Sequence, residues 1–234
     1  MQRFKWLLFD IDNTLLDFSG AAKRAMFQTF IDFEEICTEE IYTQYQIVNH
    51  AAWEAFEQQQ ITAAELRPKR MRDLFSVLEK EIANPHIFSK RYLENLVLCS
   101  EYYAGVPTLL DRLKTKYQLA IITNGLKEVQ RPRLRKLELI NKFDSIVVSD
   151  EIGVAKPQLA FFEYALNSLN TPINKSEILV IGDSLNSDII GGNNAGLTTC
   201  WISHQRENKS AIQPNFTINT VSELEKSVLT ATTK

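Results

Sequence analysis

Two aspartates with one residue between them, Asp10 and Asp12, end an apolar run that starts at Trp6: Trp6-Leu7-Leu8-Phe9-Asp10-Ile11-Asp12-Asn13-Thr14. Side chains at i and i+2 of an extended chain share a face. If Leu7 to Phe9 form a buried parallel strand, both carboxylates leave its carboxyl end on one side, in the crevice where open α/β sheets bind ligands. Adjacent carboxylates repel, and a hard cation such as Mg²⁺, which takes one or two carboxylates together with waters and substrate phosphate, neutralises such a pair. A strand followed by a solvated turn explains the same residues, so the other strand ends must decide. Three of them carry polar groups: Thr123-Asn124, Lys156 before Pro157, and Asp183 followed by Asp188. Each alone reads as a turn, a loop or a cap. Together, an attacking carboxylate, a neighbouring acid, a hydroxyl, a lysine and further acids are the parts of metal-assisted phosphoryl transfer.

The elements that must position these residues follow from the apolar periodicity. Helical spacing runs from Asp17 to about Tyr103, over 21–33, 38–58, 62–81 and 89–100, with Asn84-Pro85 as a break. From Gly105 onward, short apolar strands at 119–122, 143–148, 178–181, 198–202 and 216–218 alternate with helices. That alternation argues for a parallel sheet covered by helices on both faces. Pro132 should kink or split the helix over 127–137. The expected architecture is α/β: a doubly wound, mostly parallel sheet built from 1–16 plus 104–234, with an all-helical insert at 17–103.

A net charge of −3 over 234 residues gives no reason to expect nucleic acid or an anionic membrane as partner, so an anionic substrate must be met by local positive charge. Residues 1–5 are basic, and the apolar run after them breaks at Asp10, too early for a signal-peptide core or a membrane span; a cytoplasmic protein is expected. Cys37, Cys99 and Cys200 are isolated and odd in number, which predicts reduced, mostly buried thiols and no zinc site. On the second helix, Tyr42, Tyr45, Gln46, Asn49, Trp53 and Phe56 fall within roughly one third of the circumference. Such a stripe is either core or an aromatic wall with amides facing a site, and Asn49 and Trp53 are its candidates for substrate contact. The basic clusters Lys69-Arg70-Arg72 and Lys127, Arg131, Arg133, Arg135 read first as solvated helix faces, with an arginine reaching over the site as the other reading of each.

In order and spacing, the four polar clusters resemble the motifs of haloacid-dehalogenase (HAD) superfamily phosphatases. These are Asp10-Ile11-Asp12-Asn13-Thr14, Thr123, Lys156-Pro157, and Gly182-Asp183 with Asp188. The resemblance covers essentially the whole chain and implies a Rossmann-like core carrying the superfamily's first type of helical cap. It implies that Asp10 attacks phosphorus to give an aspartyl phosphate, that Asp12 is acid and then base, and that Lys156 balances charge. Thr123 and the Asn124 amide would hold phosphate oxygens. Asp10, Asp12 through its carbonyl, Asp183 and Asp188 would hold Mg²⁺, with Mn²⁺ as substitute. Asp12 speaks for phosphatase over dehalogenase chemistry. Further stretches, Tyr45-Gln46-Ile47-Val48-Asn49 with Trp53, 151–157 and 191–201, are similar to cytosolic 5′-nucleotidases of the YjjG type, which implies a small phosphate ester, a pyrimidine nucleoside monophosphate, as substrate. A small metabolite such as phosphoglycolate or a sugar phosphate is the alternative within that chemistry. A non-enzymatic phospho-receiver is the alternative outside it, disfavoured by the long helical insert and by the internal acid/base Asp12.

Overall fold

The strands are short and almost wholly apolar, as strands buried on both faces must be. In the computed structural model, which describes residues 4–169 and 174–230, they are β1 (Trp6–Phe9), β2 (Gln118–Thr123), β3 (Ser145–Val148), β4 (Ile178–Gly182), β5 (Thr198–Ile202) and β6 (Phe216–Ile218). The first three residues of the expected basic start lie outside the described residues. All six strands run parallel in one sheet, in the order β3-β2-β1-β4-β5-β6. The expected doubly wound sheet is therefore present. Its order reverses between β1 and β4, and such a switch point opens a crevice at the carboxyl ends of the strands. Register puts Phe9 level with Ile121 on one side and Ile181 on the other, so Asp10 emerges beside the last residues of both neighbours.

Alternation divides β1 between two apolar layers. Leu7 and Phe9 join Leu109, Leu110 and Leu113 of α5 (Val106–Lys114), while Trp6 and Leu8 join Phe161, Phe162 and Ala165 of α8 (Leu159–Asn167). Helices thus cover both faces of the sheet. Ile11 continues the first layer and is fully buried, which leaves Asp10 on the other parity.

The chain divides into two compact units: Met1–Asp17 with Glu101–Lys127 and Leu134–Lys234, and Phe18–Ser100 with Glu128–Arg133. The second contains α1 (Phe18–Asp32), α2 (Glu39–Glu57), α3 (Ala63–Val77) and α4 (Pro85–Leu98). Thr38 caps α2 by accepting from Ile41 N, and Thr62 forms a full capping box with Glu65 at α3. Asn84-Pro85, read as a break, is the start of α4: Asn84 accepts from His86 N at 2.9 Å, and the proline occupies the first turn, where its missing N–H costs nothing. Phe88 anchors the core of this unit against Phe30, Phe33 and Phe75. Tyr42 and Tyr45 are also buried there, Tyr45 edge-on to Tyr92 at 5.4 Å, so this part of the aromatic stripe is core.

Two local expectations are corrected. Pro132 does not split its helix: α6 runs unbroken over Lys127–Lys136. A proline removes one N–H from the helical ladder, and the turns on either side of Pro132 still form α6. The basic clusters are not wholly solvated either. Lys69 pairs with Asp73 at 2.7 Å and Arg72 is exposed, but Arg70 lies on the buried Leu66–Leu74 face of α3, and Arg133 is buried over the Phe18 ring. All three cysteines are free, with Cys37 and Cys200 buried and Cys99 half-buried. No helix among the described residues is long and apolar enough to cross a membrane.

Candidate active site

Asp10 is the first residue beyond β1; its N–H donates to Ile181 O at 2.9 Å, tying it to β4, and its side chain is almost fully buried. Lys156 reaches the same point from the loop after α7 (Ser149–Ile152), which Gly153 ends in the left-handed conformation at φ 72°. Its ammonium donates to Asp10 Oδ1 at 2.7 Å, Asp188 Oδ1 at 2.6 Å and Ile122 O at 2.8 Å. All three ammonium protons are thereby used inside the protein. The Asn124 side chain fixes the lysine by its main chain: Nδ2 donates to Lys156 O, and Oδ1 accepts from Lys156 N, both at 2.8 Å. Thr123, the last residue of β2, is fully buried beside it in sequence.

Asp188 arrives on a single wide π turn, Leu185–Ile189, of the kind frequent at functional positions. Ser184 caps that turn by accepting from Ser187 N, and its own N–H donates to Asp188 Oδ2 at 3.1 Å. Gly182 makes room for this arrangement, since a Cβ there would lie 2.2 Å from Asp188 Cγ. Asp183 is anchored through its carbonyl, which accepts from Trp201 Nε1 at 2.9 Å and Arg206 Nη2 at 2.8 Å. Asp12 is half-buried in a tight loop where Thr14, Leu15 and Leu16 N–H groups donate to Ile11 O. Asn13 takes φ 55° in that loop, a conformation asparagine tolerates better than most residues, and His204 Nε2 lies 2.6 Å from its carbonyl oxygen.

Of the residues singled out from the core motifs, Asp10, Lys156, Asp183 and Asp188 come together. One carboxylate oxygen each from Asp10, Asp183 and Asp188 lies within 4.8 Å of the others. Burial pushes the Asp10 carboxyl well above the usual range; Lys156 opposes that, and Asp188, Asp183 and Asp12 add to it. Burial, then Asp188, pushes Asp183 up to about 7. Burial alone would lower the Lys156 ammonium, but Asp10 and Asp188 prevail and hold it above its ordinary value. Four carboxylates thus face one buried ammonium and the outer guanidinium of Arg206, which is 3.4 Å from Asp183 Oδ2. A donor set of buried hard oxygens with surplus negative charge fits a divalent ion of the Mg²⁺ kind.

Four supporting contacts were not foreseen: the Asn124 side chain, Trp201, His204 and Arg206. Their trace in the sequence is slight: Asn124 follows a motif residue, Trp201 ends the family-like stretch 191–201 inside β5, and His204 and Arg206 follow that strand. Asn49 and Trp53, the candidates on α2, are both half-buried in the helical unit. Asn49 Oδ1 accepts from Tyr45 Oη at 3.2 Å and Arg70 Nη1 at 3.3 Å, and Trp53 packs edge-on to Phe56 at 5.7 Å.

Residues 4–196 match the family of haloacid dehalogenase-like hydrolases. The chain is 33% identical over 225 residues to pyrimidine 5′-nucleotidase YjjG of Escherichia coli (strain K12), covering 96% of this chain and 97% of that one. It is 34% identical over 224 residues to pyrimidine 5′-nucleotidase PynA of Streptococcus pneumoniae (strain ATCC BAA-255 / R6), covering 94% and 93%. Among solved structures, the HAD-hydrolase YfnB of Bacillus subtilis, bound to magnesium and showing interdomain movement, is similar with a TM-score of 0.90 at 32% identity, over 96% of this chain and 98% of that one.

Proposed function

The chain belongs to the haloacid dehalogenase-like hydrolase family, and from that membership we propose that it is a Mg²⁺-dependent phosphomonoesterase whose substrates are pyrimidine nucleoside 5′-monophosphates. The observation that carries the chemistry is the Lys156 ammonium bound at once to Asp10 and Asp188, beside the three-carboxylate cluster. The substrate class is supported by the names of the two nucleotidase relatives. The helical segment 17–103 is assigned as the insert that adapts the core to its substrate.

Lys156 holds Asp10 by Oδ1 alone, which orients the carboxylate and leaves its other oxygen available for attack. That oxygen forms a bond to phosphorus as the ester P–O bond breaks, and Asp12 gives its proton to the departing alkoxide. Asp12, now a carboxylate, takes a proton from water as the water oxygen attacks the same phosphorus. The bond to Asp10 breaks, inorganic phosphate leaves, and Asp10 is restored as the carboxylate. Thr123 Oγ1 and the Asn124 N–H hold phosphoryl oxygens, and the fixed ammonium of Lys156 meets the charge they gather in the transition state. Asp10, Asp183, Asp188 and the Asp12 carbonyl would hold Mg²⁺, which when bound supplies the positive charge that offsets phosphate and carboxylates together.

The test is a panel of nucleoside monophosphates, phosphoglycolate, sugar phosphates and phenyl phosphate, assayed with Mg²⁺ and with a chelator. Turnover of uridine and thymidine monophosphates, lost on chelation and lost in Asp10→Asn with unchanged circular dichroism, is the expected result. Normal turnover in Asp10→Asn ends the assignment. A phosphoglycolate or sugar-phosphate preference would replace the substrate class, and an aspartyl phosphate lasting for hours would favour a signalling receiver.

A further inference from the structure

Two residues that are not glycine meet in left-handed backbone beside Asp12. Asn13 takes φ 55° and His204 φ 49°, and one hydrogen bond joins them, with the histidine Nε2 2.6 Å from the Asn13 carbonyl oxygen. A carbonyl oxygen only accepts, so Nε2 carries a proton and donates it to this bond. Left-handed backbone is uncommon for residues with a Cβ and persists where the surroundings hold it. Both residues belong to the first of the two compact units, and what holds each of them there can be named.

On the His204 side, β5 ends and the chain turns through two successive left-handed residues, Gln205 taking φ 63°. Ser203 N–H donates to Ile218 O at 2.8 Å and His204 N–H to Asn219 O at 3.1 Å, which ties the turn to the end of β6, and Arg206 N–H closes it on Ser203 O at 2.9 Å. The imidazole is thus presented from a fixed main chain. On the Asn13 side, its N–H donates to Leu16 O at 2.9 Å, inside the loop gathered on Ile11 O. Tyr103 joins the two sides: its N–H donates to Leu15 O at 3.1 Å, and its ring lies 5.5 Å from the imidazole. The φ torsion of Asn13 turns about the bond next to the peptide that joins it to Asp12, so a relaxation toward negative φ would swing that peptide and the Asp12 carboxyl with it.

We propose that His204 is a positioning residue for the acid of the reaction: by donating to the Asn13 carbonyl it holds the left-handed turn that aims the Asp12 carboxyl at the leaving oxygen. The inference rests on the reading of Asp12 as proton donor. As the bond from Asp10 to phosphorus forms, the electron pair of the breaking ester P–O bond goes to the leaving oxygen, which takes the Asp12 proton. An alkoxide needs that proton and a nitrophenolate does not. A residue that aims the acid therefore matters more as the leaving group becomes more basic, whereas one that only stabilises the fold affects all esters alike.

The experiment compares wild type, His204→Asn, His204→Gln and Asp12→Ala, each with Mg²⁺, on benzyl phosphate and p-nitrophenyl phosphate, two aromatic esters of similar shape whose leaving groups are an alkoxide and a stabilised phenolate. Asparagine tolerates left-handed backbone and is one bond too short to reach the Asn13 carbonyl. Glutamine places an amide N–H near the position of Nε2, and Gln205 shows that it is accommodated in this conformation. The quantity read is kcat/KM, which covers the steps through departure of the alcohol. Asp12→Ala should lose far more on benzyl phosphate than on p-nitrophenyl phosphate. His204→Asn should repeat the pattern in smaller measure, with a loss about tenfold greater on the benzyl ester, and His204→Gln should restore most of it. Both histidine variants should melt close to wild type; if His204→Asn does not fold, His204→Gly, which relieves the turn and also removes the donor, carries the same expectation. Equal losses on the two esters in the variant lacking the donor, or no loss, would overturn the proposal while Asp12→Ala still discriminates between them. Equal losses in Asp12→Ala itself would refute the acid role of Asp12, and the role of His204 would fall with it.

Discussion

The side-chain amide of Asn124 grips the main chain of Lys156 from both ends, donating to its carbonyl and accepting from its N–H at 2.8 Å each. The end of β2 thereby sets where an ammonium thirty-two residues later stands against Asp10. Removing the clamp frees the loop without touching any atom that reacts. Asn124→Ala is therefore expected to lower kcat about 10²-fold, the order of loss that goes with ångström-scale misplacement. Asn124→Asp should lose as much, because an oxygen would then face the Lys156 carbonyl. Steady-state kinetics with phenyl phosphate check this, and wild-type kcat in both variants would show the clamp to be incidental.

Lys156 joins two buried carboxylates, Asp10 and Asp188, that pair with no other cation among the described residues. Deleting one partner of a buried ion pair leaves the remaining charge uncompensated, a loss of about 3 kcal/mol or more. Lys156→Met should lower the unfolding free energy measured in urea by that order, and adding Asp188→Asn should recover part of it, since the two changes share one network. Strict additivity of the two losses would argue that the ammonium and Asp188 are energetically independent.

Asp183 should change sign in its effect on stability with metal. Without a divalent ion it is a largely buried acid crowded by Asp188, so Asp183→Asn should melt at the same temperature as wild type or higher. With Mg²⁺ at about a hundred times Kd, binding to the folded state adds about 2.7 kcal/mol to the wild type, and the variant should gain far less. Calorimetry with and without Mg²⁺ reads both halves. Equal Mg²⁺ stabilisation of the two proteins would remove Asp183 from the metal site.

What could be read from the sequence is what local pattern dictates. Trp6 to Phe9 must be a strand buried on both faces because nothing in it can face water, and the residues after such strands gather at one rim because parallel topology leaves no other place. That is why Asp10, Lys156, Asp183 and Asp188, far apart in the chain, could be expected at one place. Asn124 was read by its backbone alone, since a Thr-Asn-Gly run says nothing of a partner thirty-two residues away. The preferred reading of Arg70 failed for a related reason: three cations in four residues look solvated, and only the Leu66–Leu74 face of α3 shows that the middle one turns inward. Trp201, His204 and Arg206 act through carbonyls of the loops they touch, contacts to which any sequence contributes alike.

The helical unit offers a pH test separate from the carboxylate cluster. Asp32, at the end of α1, accepts from Arg91 Nε at 2.6 Å and Asn95 Nδ2 at 2.8 Å, and from Gln28 Nε2 at 2.9 Å. The Arg91 bond above all, then Asn95, holds its carboxyl at about 2, below the usual 3.8, with burial opposing. A carboxyl whose folded value is depressed binds fewer protons folded than unfolded, so it stabilises above about pH 4 and loses that contribution as the pH falls toward 2. With Arg91 substantially exposed, screening limits the effect to about 1 kcal/mol. Asp32→Asn should accordingly lower stability at pH 7 by about that amount and leave stability below pH 2 unchanged. Chemical denaturation across that range measures the difference, and a penalty that persists undiminished at pH 2 would mean that shape rather than charge holds α1 to α4.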